Sequence, residues 1–152
     1  MVTLNKVHIA AEMFMEAHAC YKRATRDIDY LTSIMLSGAV VGISSPLLKE
    51  QEGHTLHSLL ARISNAVSEP GERSTHEGLF RAIYNGLKHA GDDRRSIAAS
   101  QDLIIEADLK AEAEHMLDAA KHDFCQIKVP PEVRRSLSAE FVRLLESEGD
   151  YA

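Results

Sequence analysis

The chain has 152 residues, 45% of them hydrophobic and 26% charged, which suits one globular domain with a real core. Its formal net charge of −6 argues against strong, non-specific nucleic-acid binding, which needs phosphate neutralisation, while leaving room for a local basic patch. Aromatics make up only 5%, so Leu, Ile, Ala, Val and Met must fill the core, and the eight Gly and four Pro are too few for collagen-like or disordered sequence.

Leu4, Val7, Ala11, Phe14, His18 and Tyr21 step by three and four, predicting a long first helix that ends near Thr25 or Arg26. Ile28, Leu31, Met35, Gly38 and Gly42 continue the stepping to about Ile43. Either the first helix carries on or a second starts near Asp27; both fit. Gly38 and Gly42 form a small-residue seam where another helix can approach closely. The sequence Ser44-Ser45-Pro46 is expected to break the helix. The apolar run Ile34 to Ile43 is too short and too rich in Gly and Ser to span a bilayer. No basic-then-apolar leader opens the sequence, so a cytoplasmic protein with no membrane contact is expected.

A further amphipathic segment, His54 to Ala66, has Leu56, Leu59, Leu60, Ile63 and Val67 in phase. A loop follows at 69–72. Ser74 and Glu77 have the spacing of a capping box and predict the start of the next helix, with Gly91 as its C-terminal stop. Residues 92–95 read as a charged turn. Leu103-Ile104-Ile105 fits a short strand or a helix start equally well. Asp108 is placed to cap a helix running to about Phe124, with Leu109, Ala113, Met116, Leu117, Ala120 and Phe124 inward. Val129-Pro130-Pro131 stops it, and a charged last helix is expected over Glu132 to Ser147, lying across the bundle or against a second subunit. Residues 149–152 are expected to fray. These elements predict a single all-α domain over residues 1–152, an up-down four-helix bundle core with one or two extra helices.

Most routes to chemistry lack their setting. Cys20 and Cys125 are far apart and read as two reduced, partly buried thiols. Glu112-x-x-His115 has the spacing used in di-iron bundles, but no second such pair exists. His8 and Glu12 read as a solvated face and His18 as a hydrogen-bonded core histidine, while His54 and His57 have no obvious partners. There is no phosphate-binding loop and no nucleophile elbow. The words around Asn85 and His89 also resemble the helix motif of histidine-kinase-type ATPases, whose Asp-x-Gly and Gly-rich lid motifs are missing here. No metal and no cofactor are expected.

One stretch stands apart. Leu79, Phe80, Ile83, Leu87 and Ala90 share an arc of about 100° if the segment is one helix. Arg81, Asn85 and His89 then recur at i, i+4 and i+8 on the other side. A guanidinium, an amide and an imidazole in a row can bind a phosphate and move a proton. Between Glu72 and Arg95, the cations Arg73, Arg81, Lys88, Arg94 and Arg95 outnumber Glu72, Glu77, Asp92 and Asp93 by one. The same three residues also fit the solvated side of a surface helix, or a hydrogen-bonded contact with a neighbouring helix.

Tyr84-Asn85-Gly86-Leu87-Lys88-His89, late in a helix of an all-α domain, resembles the motif of the HEPN superfamily. That signature is an Arg, usually followed by a polar residue, with a His four to six positions beyond the Arg. Asn85 matches the polar position and His89 the histidine, while Tyr84 stands where the family keeps its Arg; Arg81 lies three residues earlier. The resemblance implies a small helical bundle that homodimerises with two motifs facing across a two-fold axis. It implies a bacterial protein of toxin–antitoxin, phage-defence or RNA-processing type. Such a protein is either a metal-independent ribonuclease or a module that has lost activity and binds a protein partner, such as a cognate antitoxin. For an active member the resemblance implies His89, Asn85 and Arg81 as catalytic residues and Lys88 and Tyr84 as contacts to RNA. An unrelated helical scaffold remains the third reading.

Overall fold

The computed structural model describes residues 3–69, 71–91 and 97–147. The loop residue Pro70, the whole charged turn at 92–95 and the C-terminal residues expected to fray lie outside the described residues. Among those described, the chain is all-α, with α1 Lys6–Lys22, α2 Asp27–Glu50, α3 Leu56–Val67, α4 Ala82–Lys88, α5 Leu109–Gln126, α6 Pro131–Arg135 and α7 Ala139–Glu146. Short 3₁₀ turns occupy Glu77–Arg81 and Ala99–Gln101.

The first helix stops at Lys22, earlier than its periodicity suggests, and a separate helix begins at Asp27. Asp29 decides the restart. Its carboxylate accepts from the backbone N–H groups of Thr25 (3.2 Å) and Arg26 (3.1 Å), satisfying donors that a helix start leaves open.

The expected break at Pro46 does not occur, and α2 runs on to Glu50. Proline lacks the N–H that would bond the carbonyl of residue 42, and its ring crowds that carbonyl. Here both Pro46 and Gly42 are exposed, so the orphaned carbonyl can meet water. Two turns of helix are gained as a result. By length and composition α2 can cross a bilayer, a property it shares with core helices, and half of its most apolar window is buried inside the protein.

The helices α1, α2 and α5 pack on one another as the centre of the fold. Phe14, Ile34, Val40, Val41, Met116 and Leu117 are fully buried there. Among the described residues no fourth long helix stands beside them. The shorter α3 lies against α5, α4 against α2, and α7 against α1. The expected last helix is two helices. Ser138 ends the intervening turn by accepting from the Phe141 N–H (3.1 Å), and Phe141 then enters the core edge-on to Phe124 and Phe14, at 4.8 and 6.0 Å between ring centres.

In α3 the fully inward residues are His57 and Ala61; of the apolar stripe read from the sequence, Leu56 packs against the core and Leu59 and Leu60 are half-buried, whereas Ile63 and Val67 are 60% and 79% exposed. The N-terminus of α3 sets this rotation. Thr55 caps it by accepting from Ser58 N–H (3.1 Å), and the Leu56 N–H donates to Asp123 on α5 (2.8 Å). Asp123 is fully buried and also accepts from Ser45 on α2 (2.5 Å) and from His122 (3.2 Å), joining three helices at one carboxylate.

The helix α5 begins where its sequence indicates. Asp108 accepts from the Ala111 N–H (3.0 Å), and Ala113, Met116, Leu117, Ala120 and Phe124 are buried. Residues 102–108 are neither strand nor helix, and Leu103 and Ile104 are exposed.

Candidate functional site

The segment singled out by its polar stripe is not one helix. His76 precedes a 3₁₀ turn over Glu77–Arg81, and the α-helix proper spans only Ala82–Lys88. The Ser74 capping box is therefore absent, and the helix is one that His76 starts without a side-chain cap. Arg81 has φ −118° and ψ 13°, and His89 has φ −136° and ψ 141°, so both lie outside α4 and the i, i+4, i+8 stripe does not form. Gly91 turns the chain at φ 81°, held by its N–H donating to Asp102 (2.8 Å); the helix has already ended at Lys88. With the 3₁₀ turn shifting the phase, Tyr84 faces the core while Leu79 is 51% exposed.

The five motif residues separate into an inner and an outer group. Tyr84 is buried, its ring lying on the backbone of Gly38, where a side-chain carbon would overlap it. Arg81 is half-buried and points to α3, where its Nε–H donates to His57 Nδ1 (3.2 Å). Asn85, Lys88 and His89 are exposed. The Lys88 ammonium stands 4.6 Å from the centre of the Tyr84 ring, a cation–π contact. No hydrogen bond engages the side chain of Asn85 or His89 among the described residues.

Two further histidines join Arg81. His57 is fully buried, and its Nε2 is 3.1 Å from His115 Nε2; that same nitrogen of His115 is 3.1 Å from the Phe80 carbonyl. The Phe80 ring lies parallel to the His57 ring, with 6.2 Å between centres. Arginine is always a donor, so His57 Nδ1 must carry the lone pair and its Nε2 the hydrogen. His57 Nε2–H in turn donates to a bare His115 Nε2. Burial, His115 and Arg81 together hold His57 well below the ordinary histidine range, to about 4. It is a neutral imidazole at pH 7.

Glu112 stands one turn before His115. One of its oxygens is buried with no hydrogen-bond partner, and burial pushes its carboxyl above the usual range while His115 pulls it back. The Glu-x-x-His spacing thus marks a polar cluster. Among the described residues no group of three or more His, Cys, Asp or Glu is arranged to hold a metal ion.

Sequence reasoning left His57 without a partner and saw His115 only in its spacing from Glu112. A usable signal was present: at i, i+4 from Ala61, His57 lies on the narrow small-residue side of α3. The remaining histidines have other surroundings. His8 Nε2 lies 2.6 Å from Ser136 Oγ, and His18 is half-buried in a cleft lined by Glu12, Met15 and Glu140. Cys20 is a buried and Cys125 an exposed free thiol.

No family model matches the chain. Comparisons with curated proteins and with solved structures likewise give no match.

Proposed function

We propose that the chain is a HEPN-like helical interaction module that homodimerises through the face carrying Asn85, Lys88 and His89. The observation that carries this reading is the division of the motif. Arg81 and Tyr84 serve the interior, bonded to His57 and packed on Gly38, which leaves the outer residues without the guanidinium a phosphate site would want beside them. Exposed apolar side chains lie beside that outer face. Ile105 packs over Gly86 of α4, and Leu103 and Ile104, just before it, are 73% and 83% exposed. Exposed apolar groups next to hydrogen-bonding ones are the usual make-up of a protein interface.

A second reading, an active metal-independent ribonuclease, has one observation in its favour: the His89 ring is exposed and open to a substrate. In that chemistry the imidazole takes the proton of a ribose 2′-OH, the oxygen attacks phosphorus, and the 5′-oxygen leaves with a proton. The products are a cyclic phosphate and a 5′-OH. Lys88, and the terminal nitrogens of Arg81, would stabilise the charge on phosphorus.

One set of measurements separates them. The mass of the protein in solution, by light scattering, should be that of a dimer, and Ile104→Glu should give a monomer. A monomer at all concentrations in the parent protein overturns the dimer reading. Incubation with single-stranded RNA in EDTA should give equal background for the parent and for His89→Ala. Cleavage that persists in chelator and disappears in His89→Ala replaces the module with the enzyme.

A further inference from the structure

We propose that the cavity between the end of α5 and helices α6 and α7 binds a free apolar α-amino acid, its side chain on the cavity walls, its carboxylate on Arg134 and its ammonium on Glu146. The site goes beyond the proposed dimerisation and shares no residue with that face. The last turns of the chain create the space. Pro131 opens α6, which runs only five residues. Ser138 then caps α7, and Phe141 anchors that helix in the core against Phe124. Beyond this anchor, Val142 and Leu145 of α7 line a cavity of about 240 Å³ together with Ile127, Val129 and Leu137.

These walls are held in place without a ligand. Lys128 lies between two lining residues, and the Gln51 side chain fixes its backbone from both sides. The Lys128 N–H donates to Gln51 Oε1 (2.7 Å), and Gln51 Nε2–H donates to the Lys128 carbonyl (2.9 Å). Ile127 is buried, and Leu137 and Leu145 pack on the core. An incoming molecule therefore meets apolar surface that needs little ordering. In proportion to an engineered apolar cavity of about 150 Å³ that holds benzene, the space suits roughly ten non-hydrogen atoms, the size range of leucine and phenylalanine.

The polar groups choose the ligand. Arg134 and Glu146 line the same cavity and are exposed, and among the described residues neither side chain has a hydrogen bond or an ion pair. They are opposite in sign yet do not close on each other, so each is open to a charged group. The Cys125 thiol also lines the cavity. The charges that act on it are Lys121 and Arg134, and Glu146 is not among them, which puts the cation on the thiol side and the acid farther off. Lys121 already donates to the Ser147 carbonyl. A plain carboxylate would satisfy Arg134 and be opposed by Glu146, and a plain amine would meet the reverse. A zwitterion answers both, and the apolar walls require the rest of it to be hydrocarbon.

The test is alkylation of Cys125 by N-ethylmaleimide on the full chain, read by peptide mass spectrometry. Cys125 is an exposed thiol and Cys20 a buried one, so Cys20 serves as the internal reference. Phenylalanine or leucine should slow the reaction at Cys125 saturably and leave Cys20 unchanged. The concentration for half protection should rise roughly tenfold in Arg134→Gln and in Glu146→Gln, the loss expected for one charge-assisted hydrogen bond. Both side chains are exposed, so the two variants keep the fold. 3-Phenylpropionate, which lacks the ammonium, and phenethylamine, which lacks the carboxylate, should each protect roughly tenfold less well than phenylalanine. No protection by either amino acid up to its solubility limit overturns the proposal. So does equal protection by glycine, or an unshifted half-point in either variant. Equal protection by 3-phenylpropionate overturns the amino acid and leaves a site for plain apolar carboxylates.

Discussion

The ring of Tyr84 on α4 rests directly on the backbone of Gly38 on α2, in the space a side chain at position 38 would fill. A glycine in a helix interior normally costs about 1 kcal/mol against alanine. Gly38→Ala should nonetheless destabilise the protein by roughly 1–3 kcal/mol in urea unfolding, because overpacking a buried contact outweighs the helix-propensity gain. Combining it with Tyr84→Leu should recover part of the loss. Simple additivity of the two substitutions would mean that the contact is not what fixes Gly38.

Arg81 acts on stability through His57. Arg81→Met keeps the apolar stem and removes the donor, leaving the buried His57 Nδ1 unsatisfied, for a loss of about 1–3 kcal/mol at pH 7. The guanidinium is also one of the groups holding His57 low, so its removal lets the imidazole protonate more readily in the folded protein. The variant should therefore be less stable at neutral pH yet lose less stability on acidification, as read from urea midpoints at pH 7 and 5.

Asp123 joins α2, α3 and α5 from a fully buried position. Asp123→Ala strands the Ser45 hydroxyl and the Leu56 N–H at once, and about 3 kcal/mol of stability should disappear. Asp123→Asn keeps one acceptor oxygen and should lose less. An Asp123→Ala protein within about 0.5 kcal/mol of the parent would contradict the role assigned to the carboxylate.

His57 predicts the direction of the pH dependence. Its folded value lies near 4, against an ordinary value of 6.5, so between those limits the unfolded chain binds more protons than the folded one. Stability from this group is fully present above pH 6.5 and is lost as the pH falls toward 4. Below that both states are protonated and no more is lost. The size is on the order of 3 kcal/mol, and His57→Phe should flatten that stretch of the thermal-midpoint profile.

The polar stripe shows how far local pattern reaches. Arg81, Asn85 and His89 recur at helical spacing, but the pattern assumes one continuous helix. Nothing local says that the chain from Glu77 to Arg81 winds as a 3₁₀ turn, which rotates Tyr84 inward and leaves His89 beyond the helix end. The inner half of the site was hidden for the same reason. His57 and His115 are 58 residues apart and meet only because α3 docks on α5.

By itself the sequence determined the helical class, since apolar residues at three- and four-residue steps can be buried together only on a helix. It determined the start of α5 as well, because Asp108 satisfies donors within its own first turn. Tertiary structure decided the rest. Pro46 stays inside α2 because its face of the helix is open to water, and α3 turns His57 inward because Asp123 holds its first turn. The buried polar cluster exists only once Arg81, His57, His115 and Phe80 have been brought together from three elements. Local rules fix which backbone groups can pair within a turn; which faces are sealed from water is fixed only by what packs against them.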